Sequence, residues 1–111
     1  MEQYRRGDIV TVAGGVYANK PRPALVLQDD AFDSTTSITV APFTSVSVEA
    51  PLLRLTVPAD DSTGLDVVSY VMIDKITTVR RSKIGERLGS MDPTLMIEVE
   101  RRVAAFLGFA R

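Results

Sequence analysis

Short apolar runs rich in β-branched residues recur along the first ninety residues of the chain, and turn-forming residues separate them. The runs occupy residues 8–12, 24–27, 37–43, 53–57 and 67–73, and a weaker one covers residues 86–91. Apolar runs of this length, bounded by Gly, Pro or Asp, are typical of β-strands and are too short for helices. The sequence therefore predicts five or six short strands in a strongly bent sheet or small barrel.

One helix is predicted after the strands. Asp92 is a suitable N-cap, Pro93 suits the first helical position, and Gly108 is a typical helix stop. Apolar residues between them recur at spacings of three and four: Leu95, Val99, Val103, Phe106 and Leu107. We expect this stripe to pack on the sheet. The predicted fold class is β-rich α+β with a C-terminal α-helix.

The composition limits both the organisation of the chain and its chemistry. At 111 residues, without repeats or linkers, we expect a single domain over residues 1–111. The absence of His and Cys removes imidazole bases, thiol nucleophiles and the usual zinc ligands, so catalysis would depend on Arg, Lys, Asp, Glu or hydroxyl groups. No apolar run has the length of a signal or membrane-spanning segment, so we expect a cytoplasmic protein with no membrane partner.

Charge is unevenly distributed along the chain. Residues 29–66 hold seven acidic side chains and one basic side chain, although the whole chain has a formal net charge of only −1. A sequence pI near 5.3 argues against indiscriminate binding to duplex nucleic acid. It is compatible with a local phosphate site in one of the more basic segments.

Arg22 is the leading candidate for such a site. A proline on each side restricts the backbone, which holds the guanidinium on a stiff segment. Its permanent charge and planar donors suit a phosphate whose negative charge grows in a transition state, and Lys20 would add a second cation. The alternative is an exposed arginine that covers apolar surface or pairs with Asp29 or Asp30.

Hydroxyl and carboxyl groups at two other strand ends are further candidates. Thr44 and Ser45 follow the run at 37–43, where a hydroxyl either caps a turn or contacts a substrate. Asp74 and Lys75 follow the run at 67–73. Asp74 is either a turn former or local ion pair, or a partly buried base with a raised pKa. The basic residues at 80–83 are expected to form a solvated turn.

Four segments, in this order, resemble the MazF/PemK family of toxin endoribonucleases: RGDIV at 6–10, KPRPALVL at 20–27, APFTS at 41–45 and VMIDKI at 71–76. The resemblance covers nearly the whole chain. It implies a small Src-homology-like β-barrel of the PemK/CcdB toxin type, and the toxin component of a type II toxin–antitoxin system. It also implies a symmetric homodimer, a cognate antitoxin partner, and sequence-specific cleavage of single-stranded RNA.

The same resemblance assigns roles to individual residues. Arg22 corresponds to the catalytic arginine of the family, Thr44 to its catalytic hydroxyl, and Asp74 to a carboxylate proposed as base in some members. The implied reaction is attack by the substrate's own 2′-hydroxyl, which leaves a 2′,3′-cyclic phosphate and a 5′-hydroxyl without a metal or other cofactor. Met72 departs from the pattern, because some members carry an arginine there.

RNA contacts are expected around these residues. Tyr17 and Asn19, in the loop at 14–20, are predicted to stack on or hydrogen-bond an unpaired base. Lys20, Ser45 and Lys75 complete the predicted RNA-binding set.

A competing function is non-enzymatic inhibition of a protein target such as DNA gyrase, as in the CcdB-like toxins that share this barrel. That group uses a C-terminal tail with Trp. This chain has no Trp and ends in LGFAR.

Overall fold

The computed structural model describes residues 3–14 and 20–110. In this part of the chain, seven strands precede one helix: β1 (Asp8–Val12), β2 (Arg22–Val26), β3 (Ser37–Thr44), β4 (Arg54–Val57), β5 (Ser69–Met72), β6 (Thr77–Arg80), β7 (Ile84–Ser90) and α1 (Pro93–Leu107). Single 3₁₀ turns lie at 30–32, 73–75 and 81–83. None of the described helices is both long and apolar enough to cross a membrane.

All strand pairs are antiparallel, and β3 links the two parts of the sheet. The strand order is β4-β5-β3-β2-β1-β7, and β6 pairs with the first half of β3. Ser37 to Val40 lie opposite β6, whereas Phe43 and Thr44 lie opposite β5. The predicted β-rich α+β fold with a C-terminal helix is confirmed.

Two apolar clusters lie on opposite faces of the central strands. Successive strand residues point to opposite faces, so Ile9 and Leu25 join the cluster beneath α1 while Val10 and Val26 join the other. All four side chains are fully buried. Burial on both faces explains why the run at 24–27 is continuously apolar instead of alternating.

The helix begins and ends as predicted. The Asp92 carboxylate accepts a hydrogen bond from the Thr94 N–H at 2.7 Å, and Gly108 adopts the left-handed conformation with φ of 85°. Val99, on the buried face of the helix, is fully buried. The predicted apolar face is wrong at its C-terminal end, because Phe106 and Leu107 are 48% and 54% exposed. The last turn of the helix extends past the apolar cluster that covers its earlier turns.

The sequence prediction missed β6. β6 reads TTVR, and only Val79 among its side chains packs on a core cluster, so its pattern carries little strand signal. The turn expected at 80–83 is present at 81–83 with Ser82 and Lys83 exposed, but the Arg81 side chain is held by the protein. Its guanidinium donates to the Thr35 carbonyl at 2.9 Å and lies 5.5 Å from the centre of the Tyr4 ring.

Arg81 and Arg80 form a matched pair for testing this contact. Arg81→Ala is expected to lower the free energy of unfolding by about 1–3 kcal/mol, because it removes charged hydrogen bonds to the turn at 33–35. Arg80→Ala removes an exposed neighbour and should change it by less than about 0.5 kcal/mol. Urea unfolding of both variants measures the difference. Equal losses would show that the Arg81 contacts do not stabilise the fold.

Candidate active site

Arg22 is the first residue of β2 and Thr44 is the last residue of β3. The two strands are antiparallel and their pairing ends with Ala24 opposite Pro42, so Arg22 and Thr44 each lie two residues beyond the last pair, at adjoining strand ends. Both residues also line a single cavity of about 480 Å³. Arg22 and Thr44, the two leading candidates, therefore lie at the same cavity.

The cavity combines one cation with hydroxyl and carboxyl groups. Its polar lining residues are Thr11, Arg22, Thr44, Ser45, Asp66, Ser69 and Glu86. Apolar residues, including Phe43 and Leu65, complete the lining. A guanidinium among hydroxyl groups can bind an anionic oxygen through several hydrogen bonds at once.

The Arg22 guanidinium has no ion-pair partner among residues 3–14 and 20–110. Asp29 and Asp30, the alternative partners, follow the opposite end of β2. The Asp29 carboxylate accepts from the Ala31 N–H, and Asp30 accepts from the backbone N–H of Arg6. Arg22 is exposed, so its charge is available to a ligand.

Thr44 caps a turn and still has a donor to offer. Its hydroxyl oxygen accepts from the Val46 N–H at 3.2 Å, as in the turn-capping interpretation. A hydroxyl has one donor hydrogen in addition to its lone pairs, so Thr44 can also donate to a ligand in the cavity. Ser45 is exposed beside it and lines the same cavity.

Asp74 is not among the cavity residues and forms an ion pair with Arg54. The hydrogen bond from Arg54 holds the pKa of Asp74 below its usual value, although desolvation acts in the opposite direction. Asp74 is thus in an ion pair, but with a partner 20 residues away in sequence and not a local one. Its lowered pKa is opposite to the raised pKa expected of a base. Arg54 lies directly opposite Met72. The arginine that pairs with Asp74 therefore comes from β4, opposite Met72.

The remaining predicted RNA-binding residues are dispersed. Lys20 is exposed next to Pro21, which lines the cavity. Lys75 is exposed in the 3₁₀ turn at 73–75 and is absent from the cavity lining. Tyr17 and Asn19 lie outside the described residues.

Sequence reasoning missed three residues in or beside the site. Asp66 and Glu86 line the cavity from a turn and from β7, and Tyr70 lies directly opposite Thr44 in β5. Each is brought there by strand pairing or by packing between segments distant in sequence. Local composition contains no signal for such pairings.

Comparisons with known proteins give a consistent result. Residues 5–107 match the family described as PemK-like, MazF-like toxin of type II toxin–antitoxin system. The chain is 50% identical over 107 residues to the probable endoribonuclease MazF of Mycolicibacterium smegmatis, which covers 96% of this chain and 98% of that protein.

Solved structures share the fold. A MazE–MazF crystal structure from Deinococcus radiodurans has a TM-score of 0.80 and 26% identity, and the match covers 97% of this chain and 98% of that one. A mycobacterial endoribonuclease in complex with its cognate antitoxin has a TM-score of 0.78 and 23% identity, with 97% and 96% covered. At 23% identity, the match to the mycobacterial structure is evidence for a shared fold only.

The Asp74–Arg54 pair predicts an acid-sensitive contribution to stability. Because the folded pKa of Asp74 is lowered, the contribution is present above the ordinary pKa of the carboxyl group and is lost as the pH falls through the folded value. Asp74→Asn should lower the free energy of unfolding at pH 7 by about 1–2 kcal/mol, and the difference from the parent should shrink below about pH 4. Asp61→Asn, at an exposed aspartate, is the control. A loss that does not change with pH would contradict the ion-pair assignment.

Proposed function

The chain belongs to the PemK-like, MazF-like toxins of type II toxin–antitoxin systems, and we propose that it is a metal-independent endoribonuclease that cleaves single-stranded RNA at short sequences. The observation that carries the proposal is the meeting of Arg22 and Thr44 at adjoining strand ends, with the Arg22 charge unpaired among the described residues. The probable endoribonuclease activity named for the M. smegmatis relative, half of whose aligned residues are identical, supports it.

The proposed reaction uses a nucleophile from the substrate. The 2′-hydroxyl of one nucleotide attacks the adjacent phosphorus, the bond to the 5′-oxygen breaks, and the products carry a 2′,3′-cyclic phosphate and a 5′-hydroxyl. Because RNA supplies the nucleophile, the enzyme needs no activated Ser or Cys. This accounts for a site built without His or Cys.

Arg22 and Thr44 have separate tasks in this reaction. The guanidinium stabilises the negative charge that accumulates on the pentacoordinate phosphorus, in the manner of an oxyanion hole. A guanidinium keeps its positive charge, so Arg22 acts by stabilising the developing charge. Thr44 donates its hydroxyl hydrogen to a non-bridging oxygen of the scissile phosphate. Both side chains line the same cavity, so both donors can reach one phosphate there.

The charges of the cavity favour a single strand. The cavity volume of about 480 Å³ is that of a small-ligand site. A base-paired duplex does not fit into such a volume, so an RNA strand must enter it unpaired. Asp66 and Glu86 repel phosphate from the other lining positions. A phosphate is therefore favoured only beside Arg22. Neutral ribose or base groups of the strand would lie next to the carboxylates of Asp66 and Glu86.

We also propose that the active form is a symmetric homodimer controlled by a cognate antitoxin. A two-fold arrangement would place two copies of the Arg22 site on one particle, which can concentrate positive charge locally although the net charge stays negative. The Deinococcus radiodurans relative, solved as MazE–MazF, supports a protein partner of this kind. An acidic, partly disordered antitoxin segment would compete with RNA for the basic groups of the site.

The test is incubation of the protein with a long unstructured RNA in excess EDTA. We expect cuts that end in cyclic phosphate. Arg22→Ala should cleave at least about 100-fold more slowly, because a transition-state donor is removed. Arg80→Ala is the matched control, since Arg80 lies opposite Ser37, at the far end of β3 from Thr44.

Two results would contradict the proposal. One is the absence of cleavage by the parent protein, and the other is equal cleavage by Arg22→Ala. Either would favour the competing function, inhibition of a protein target such as DNA gyrase.

A further inference from the structure

Tyr70 is directly paired with Thr44, yet no step of the proposed reaction uses it. Paired residues lie on one face of the sheet with Cβ atoms about 5 Å apart. Arg22 lies at the adjoining end of β2, so Thr44 has Arg22 near it on one side and Tyr70 paired with it on the other. Tyr70 is not among the residues that line the cavity, and it lies one strand away from Thr44.

The Tyr70 side chain is partly accessible to a ligand. The side chain is half-buried, and its hydroxyl has no hydrogen-bond partner in the part of the chain that the structure describes. Buried tyrosine hydroxyls usually form a hydrogen bond. Because the Tyr70 hydroxyl forms none with the described residues, a structural hydrogen bond does not explain why residue 70 is a tyrosine.

Exposed valines flank the Thr44–Tyr70 pair. Val46 lies two residues after the end of β3, and Val68 directly precedes β5. These valines are 65% and 49% exposed, and Val67, which lines the cavity, is 55% exposed. An apolar patch exposed beside a polar cavity is typical of a binding surface.

We propose that Tyr70 is a substrate-binding residue on which the base next to the scissile phosphate stacks. The inference rests on the proposed ribonuclease function, because it takes the phosphate to be held by Arg22 and Thr44. A base is joined to its phosphate through a single ribose, so it must lie within one strand spacing or so of Thr44. Unpaired bases stack readily on aromatic side chains, and a bare π-face accepts every base. Tyr70 therefore contributes affinity and positioning more than base selection.

The experiment uses an oligonucleotide that copies a mapped cut site. Its attacking nucleotide carries 2′-deoxyribose, which prevents cleavage, and the base 3′ of the scissile phosphate is 2-aminopurine, whose fluorescence is quenched by stacking. We expect the parent protein to quench it. Tyr70→Ala should abolish the quenching and weaken binding by about 10- to 100-fold, the range for loss of one stacked base. Tyr70→Phe should keep both properties, because it keeps the ring.

A second measurement separates binding from chemistry. With cleavable RNA, Tyr70→Ala should raise KM by about the same factor and leave kcat within about threefold of the parent. Phe32→Ala is the control, because it removes a 61% exposed ring before the far end of β3. Thermal unfolding of each variant identifies any loss that comes from misfolding.

Three other outcomes would each contradict a specific claim. If the parent cleaves RNA and Tyr70→Ala binds and quenches equally well, the stacking role is wrong and the proposed function stands. If Tyr70→Ala changes the sedimentation coefficient to that of a different oligomer, while Tyr70→Phe does not, the patch is a protein interface and the inference is wrong. If the parent does not cleave RNA at all, the proposed function fails and the inference fails with it.

Discussion

Strand β3 and its hydrogen-bonded pairings hold the site together. Its first half closes one apolar cluster against β6 and β2, and its second half pairs with β5 beside the other cluster. Val40, Ala41 and Phe43 are buried along it, so a register shift would move apolar side chains onto the wrong face. Because the register is fixed in this way, the backbone of the sheet holds Thr44 opposite Tyr70, at the end of β3 that adjoins Arg22.

The electrostatic character of the site depends on how the other arginines are used. Arg81 holds a turn, Arg54 pairs with Asp74, and Arg87 donates to the nearly buried Asp8. Within residues 3–14 and 20–110, Arg22 has no such partner. A chain with a small negative net charge thus retains a local cation where a phosphate is expected.

Local signals predicted much of the fold but not the contacts between distant segments. The strand at 8–12 and the helix caps at Asp92 and Gly108 were predicted correctly, because alternation, capping and glycine stops act within a few residues. β6 was missed because its side chains are mostly polar. The Arg54–Asp74 pair and the Thr44–Tyr70 pairing could not be read from sequence, because each follows from the register of strands that meet only in the fold.

The central claim is that Arg22 and Thr44 hold one phosphate at adjoining strand ends. The most direct test is a crystal structure with an RNA that carries a 2′-O-methyl group at the attacking nucleotide and so cannot be cleaved. The account predicts the scissile phosphate within about 3 Å of both the Arg22 guanidinium and the Thr44 hydroxyl oxygen. RNA bound elsewhere, with Arg22 turned away from every phosphate, would contradict it.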